Sequence, residues 1–192
     1  MKRTITNRAS LHGFTLVELM VVVAIVGILA VIGLASFRAR VFGSKSSDAL
    51  AMMQSIRAAE ERWRADNLTY LNVTRSANWY PALPTARTKR SFFNAGTCGL
   101  PVTDTDDCRW KLLNPALTGQ TEFGFMLTAG PPGNGMTEPD AKARPSNWTS
   151  WAANGDHWFV LQAIADADGD GVYAKFVSSS LRGDVYRENE GE

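Results

Sequence analysis

Hydrophobic positions along the chain fall into three patterns. From Phe14 to Phe37 they are nearly continuous. Leu19 to Ala35 is 17 residues without a charge, about 26 Å of helix. As one helix, Phe14 to Phe37 reaches about 36 Å against a bilayer hydrocarbon core of ~30 Å, so the run predicts a membrane-spanning helix over 14–37. Beyond it the spacing changes to one apolar residue every three or four. Ala49, Met53, Ile56, Ala59 and Trp63 mark one face of a continuing helix. Arg57/Glu61 and Glu60/Arg64 read as i,i+4 pairs on the other side, and Asn67 suits a helix end. One helix over 14–66 is expected, about 80 Å long. Its apolar stripe lasts only two heptads, so packing on a sheet is favoured over a coiled-coil seam.

The third pattern has period two and fills the C-terminal half. "TEFGFMLTA" puts Phe123, Phe125 and Leu127 on one face. "HWFVLQAIA" reads as a buried strand. "VYAKFVS" alternates Val172, Ala174 and Phe176 with Tyr173 and Lys175, and "DVYREN" is a last short strand. "DADGDG" and "RGD" lie between these runs as turns, which predicts an antiparallel meander of about four strands. The fold class is therefore α+β: a long N-terminal helix on a C-terminal antiparallel sheet. Residues 68–121 read as a long connection rich in Pro, Asn and Thr, and residues 129–150 as a surface loop. Loops of this length usually carry partner specificity or disorder. The chain divides into a leader at 1–13, the helix at 14–66 and a globular head at 67–192.

Charge changes the picture at two places. Residues 1–13 hold Lys2, Arg3 and Arg8 and no acid. A basic end before an apolar run reads as membrane targeting with the basic end in the cytoplasm. Without that leader, 17 basic and 19 acidic residues remain, net −2, which is no bulk nucleic-acid signature. The head is two-sided. Residues 75–111 carry six basic residues against three acids, and residues 112–192 carry five against eleven. The one misplaced charge is Glu18, near the start of the apolar run. A carboxylate in a membrane helix costs roughly 2.5–3.5 kcal/mol at the helix centre on insertion scales. An ordinary secretory signal, for which Gly33-Leu34-Ala35 offers a small-x-small cleavage site, has no use for it.

Cys98 and Cys108 are the only cysteines, and His12 and His157 the only histidines. Neither cysteine sits in a CxxC, so a zinc site is disfavoured. Export makes a Cys98–Cys108 disulfide the leading reading, with two free thiols as the alternative in a reducing compartment. Catalysis is disfavoured, because no serine or cysteine nucleophile motif surrounds the candidates. Nucleic-acid binding rests on "RTKR" with Arg75, Arg109 and Lys111, without an aromatic-basic motif. Asp166, Asp168 and Asp170 with Gly171 match the start of a calcium loop, yet the twelfth position is Val177 rather than a bidentate acid. A tight Asp/Gly hairpin turn is the competing reading. Arg182-Gly183-Asp184 is a chance-level match to an adhesion tripeptide. Trp63 and Trp158 read as core, and Trp148 and Trp151 as interface candidates in a loop. Asn67, Asn72 and Asn147 fit glycosylation sequons, which mean little outside a eukaryotic secretory path.

"GFTLVELMVVVAIVGILA" resembles the prepilin leader motif of type IV pilins and of the pseudopilins of type II secretion. The resemblance covers about 25 residues. It implies cleavage between Gly13 and Phe14 by a membrane-embedded prepilin peptidase, and N-methylation of Phe14. Glu18 then lies one turn from the new amine. In the family the glutamate pairs with the amine of a neighbouring subunit, which removes unpaired charge from the bilayer. Pairing with its own amine is the alternative that geometry also permits. The family fold, a long helix backed by an antiparallel sheet, agrees with the periodicity. The resemblance also implies single-pass residence in a bacterial inner membrane, a periplasmic head, and later assembly with other pilins into a filament. Many major pilins carry a proline about twenty residues into the mature helix. Ala35 stands there, which tilts the reading toward a minor pilin or a pseudopilin. Some relatives of those kinds bind calcium near the position of the Asp166 turn; otherwise no cofactor is expected. Three roles are thus carried forward: a minor type IV pilus subunit, a type II secretion pseudopilin, and a tip module presenting loops to DNA or a surface.

Overall fold

A computed structural model describes residues 14–83, 88–93, 98, 105–117, 119–133, 135–149, 151, 155–166 and 169–190, apart from the side chains at 35, 36, 38–40 and 42. Helix α1 runs Leu16–Asn67, β1 is Arg90–Ser91, α2 is Asp106–Leu113 and β2 is Gln120–Thr121. Strands β3 (Gly124–Gly130), β4 (Trp158–Ala165), β5 (Ala174–Ser179) and β6 (Arg182–Glu188) form one antiparallel sheet in sequential order. The chain separates into two units, residues 1–41 and 42–192. The first carries the apolar stretch Leu16–Leu34, with mean hydropathy 2.8 and every described side chain exposed.

In the second unit the predicted stripe is the buried face of α1. Ala49, Met53, Ile56 and Ala59 are buried against Phe125 and Leu127 of β3, Phe159, Leu161 and Ala163 of β4, and Phe176 of β5. Register puts these on one sheet face: Phe125 opposes Ala163, which opposes Phe176, and Leu127 opposes Leu161. Full burial of an Ile, Met, Leu or Phe is worth about 1.5–3 kcal/mol each, so this face dominates the packing of the head. Arg57 adds a polar tie. It donates to Ser178 Oγ at 2.6 Å and to the Arg182 carbonyl at 3.3 Å.

The expected i,i+4 pairs are corrected by this arrangement. Arg57 turns to the sheet, and Glu61 accepts from Tyr70 Oη at 2.9 Å, which in turn accepts from Arg64 at 2.8 Å. Glu60 is not on the solvent side at all. It is fully buried, its Oε2 accepts the Leu71 N–H at 2.9 Å, and its Oε1 has no partner among the described residues. Burial pushes its carboxyl up to about 8, against the opposing pull of the Leu71 N–H.

The opposite sheet face is covered too. Trp158, Val160 and Val177 pack there with Trp151, and Met136, Trp148 and Tyr186 lie against them. Trp148 and Trp151 therefore complete a second core: their rings lie 4.4 Å apart, and both contact Tyr186. Within the predicted 129–150 loop, residues 135–149 fold back on the sheet, with Ala143 buried and the Asp140 N–H donating to Gln162 Oε1 at 2.8 Å. Gly130 permits this packing: a Cβ there would meet the Trp158 ring at 2.3 Å.

Three smaller expectations shift. Val172 is exposed, and β5 begins two residues later at Ala174. Arg182-Gly183-Asp184 is the start of β6, and the turn before it is Ser180-Leu181. The long 68–121 connection contains α2, started by Thr105, whose hydroxyl accepts the Cys108 N–H, and closed by Asn114 in the left-handed region at φ 48°. Its Trp110 is fully buried against Tyr80 and Phe92. On the outer edge of β3, Thr74 donates its N–H to Leu127 O, and Tyr80 exchanges two backbone bonds with Phe125, each at 2.8 Å. That edge is closed. The outer edge of β6 is defended instead by charges and by a register shift opposite Val177–Ser179.

Candidate functional site

The start of α1 is where the sequence places its chemistry. Gly13 lies outside the described residues. Phe14 is exposed, and Thr15 and Glu18 close a reciprocal cap. The Glu18 N–H donates to Thr15 Oγ1 at 3.2 Å, and Glu18 Oε2 accepts from the Thr15 N–H at 3.0 Å and the Thr15 hydroxyl at 2.7 Å. This is the Thr-x-x-Glu capping box, which satisfies two N–H groups that a helix start otherwise leaves orphaned. Sequence reasoning missed Thr15, although the three-residue spacing of Thr15 and Glu18 is that of a capping box. The cap occupies one carboxylate oxygen of Glu18. Oε1 takes no donor among the described residues, so the same group retains capacity for a cation.

The cysteines meet as expected. Cys98 and Cys108 form a disulfide with Cα atoms 5.6 Å apart, and the pair tethers residue 98 to the first turn of α2. That turn is a junction. Asp106 accepts the Arg75 N–H at 3.1 Å and the Ser76 hydroxyl, and Tyr80 Oη donates to Asp107 at 2.7 Å; at the other end of α2, Arg62 of α1 donates to Leu113 O and Asn114 O. The bridge closes a loop with sequence separation 10, worth about 3 kcal/mol or less. Non-reducing peptide mapping of the exported protein should recover the two cysteines in one linked peptide, and Cys98→Ser with Cys108→Ser should lower stability by up to about 3 kcal/mol. Two free thiols in the exported protein would contradict the bridge.

The basic residues flagged for nucleic acid are partly engaged in the fold. Arg109 donates to Asn72 O at 2.6 Å and Lys111 pairs with Asp107 at 3.2 Å; Lys89 and Arg90 are exposed, and Arg87 lies outside the described residues. At the aspartate turn, Asp166 accepts the Gly169 N–H at 2.7 Å and the Gly171 N–H at 3.2 Å, while Asp170 accepts the Val172 N–H at 2.7 Å. Gly169 and Gly171 sit at φ 85° and 89°, where only glycine is unstrained. Asp168 lies outside the described residues. The carboxylates of Asp166 and Asp170 thus hold the turn itself.

Comparison with known proteins bears on the helix start alone. Residues 9–34 match the family described as the prokaryotic N-terminal methylation motif. No curated protein and no solved structure gives a match. The matched stretch contains the Gly13/Phe14 junction, the capped Glu18 and the exposed apolar span, and none of the head. The chain carries the N-terminal methylation motif that is the signal of type IV pilins and pseudopilins.

Proposed function

We propose that the protein is a minor subunit of a type IV pilus. The observation that carries this is the methylation motif running directly into α1, with Glu18 held at the capped helix start. Prepilin peptidase removes residues 1–13 and methylates Phe14. Before assembly the apolar half of α1 crosses the bacterial inner membrane once. The basic leader is cytoplasmic, and the head, which carries the disulfide, is periplasmic. The subunit then joins other pilins through its apolar helix. The absence of a proline near Ala35 supports the minor role.

The test is to quantify the protein in sheared surface filaments and in membranes, using cells that lack either the pilus machine or the type II secretion machine. The reading predicts a small share of filament mass that disappears only when the pilus machine is removed. Loss that follows the secretion machine instead would make the protein a pseudopilin.

The aspartate turn is proposed to hold without a cation, since its carboxylates already serve main-chain N–H groups. The melting temperature should be the same in millimolar calcium and in chelator. A rise of several degrees with calcium, lost in Asp168→Asn, would put an ion at Asp166, Asp168 and Asp170.

A further inference from the structure

A cleft opens on the sheet face turned away from α1. It lies between residues 72–77 and residues 137–140, with Met126, Thr128 and Gln162 beneath. It holds about 360 Å³, at the small end of the ~300–1,000 Å³ typical of small-ligand sites. Two of its side chains are oriented by main-chain bonds. Gln162, only 1% exposed, uses Oε1 to accept the Asp140 N–H at 2.8 Å, and Asn72 uses Oδ1 to accept the Ala129 N–H at 3.3 Å. Each amide has its oxygen committed, so its NH₂ is the group left over. Neither nitrogen has a protein partner among the described residues. On the cleft floor the buried Thr128 hydroxyl also has no partner among the described residues, which is rare for a buried polar group.

Acceptors stand across the cleft. Asp140 accepts the Lys142 N–H on Oδ1 at 2.9 Å, its second oxygen takes no donor among the described residues, and Thr137 adds a hydroxyl. Glu138 is held by Arg144 at 2.8 Å, and Arg75 and Asp140 are the other charged residues of the lining. The cleft therefore presents donors and acceptors together, with one basic and one acidic residue in its lining besides the Arg144-paired Glu138.

We propose that this cleft binds a neutral saccharide unit. Every sugar hydroxyl both donates and accepts, so the hydroxyls of one sugar unit can meet both the amide NH₂ groups and the Asp140 carboxylate that line the cleft. A charged ligand finds no balance of charge to favour it. A peptide adding as a strand would need a free sheet edge for its main chain, and the adjacent edge of β3 is already bonded to Thr74 and Tyr80.

The test uses the full chain in a zwitterionic detergent without a glycosidic head group, titrated with glucose, galactose, mannose and N-acetylglucosamine and followed by amide NMR. At least one sugar should shift the side-chain NH₂ signals of Asn72 and Gln162 and saturate near ~1 mM. Asn72→Asp keeps the oxygen for Ala129 and removes the NH₂, and should weaken that binding about tenfold. Three results overturn the proposal: no shift from any sugar at ~50 mM, shifts confined to other parts of the head, or full affinity in a folded Asn72→Asp. If Asn72→Asp does not fold, the wild-type shift map decides alone. An uncharged hexapeptide that moves these signals where no sugar does would make the cleft a peptide site.

Discussion

Glu18→Gln should leave insertion and leader cleavage intact and lower the ratio of this protein in sheared filaments to that in membranes by about two to four decades. The substitution separates charge from helix structure. Glutamine also completes a capping box, so the bonds between Thr15 and residue 18 have a direct replacement and the helix start is kept. On the inter-subunit pairing that the prediction tests, what is lost is the negative charge offered to a neighbour's amine. Removing one partner of a buried ion pair costs about 3–5 kcal/mol, because the other charge is left uncompensated. Neighbours that keep their own glutamate can carry some of the variant in, which sets the lower end of the range. An unchanged ratio with normal cleavage would mean that Glu18 neutralises only its own amine. Thr15→Val is the matching control. It removes the cap and keeps the charge, and should cost about 0.5–2 kcal/mol at most, well short of the effect of Glu18→Gln.

The second large effect concerns Glu60. Its carboxyl moves from an ordinary 4.5 in the unfolded chain to about 8 in the folded head. Between those values the folded state holds a proton that the unfolded state has released, so stability falls as pH rises through this window. The loss is on the order of a few kcal/mol. Glu188 works in the opposite sense and elsewhere. Its bond from Lys175 and the Ser146 N–H hold it down at about 2, so the stability it adds is present above 4.5 and lost as pH falls toward 2. Urea midpoints of the full chain in detergent between pH 5 and 9 should decline for the wild type and stay level for Glu60→Gln. Equal slopes for the two would show that Glu60 ionises freely in the folded head.

The sheet was legible because period two is a strong signal: Phe123, Phe125 and Leu127 face α1 as their alternation implied. The covered second face was also in reach. "HWFVLQAIA" is apolar at nearly every position, which implies burial on both sides of β4, and the tryptophan-bearing loop is what covers it. Glu60 was misread by residue class. Counted by spacing, 49, 53, 56, 60 and 63 form one stripe, and Glu60 occupies a buried position in it. Helix α2, at eight residues, is too short for periodicity to reveal. Its only marks were the capping Thr105, the acids at its first turn and the Asn114-Pro115 stop. The Thr15–Glu18 cap was hidden for a different reason. The oddity of an acid in an apolar run drew attention to charge, and the same residue also serves the helix backbone.

The central claim is that residues 9–34 act as a prepilin signal, and the mass of the mature N-terminus tests it most directly. The account predicts a chain beginning at Phe14 with one methyl group on its amine. A chain beginning at Ser36, or one retaining residues 1–13 after export, would contradict it.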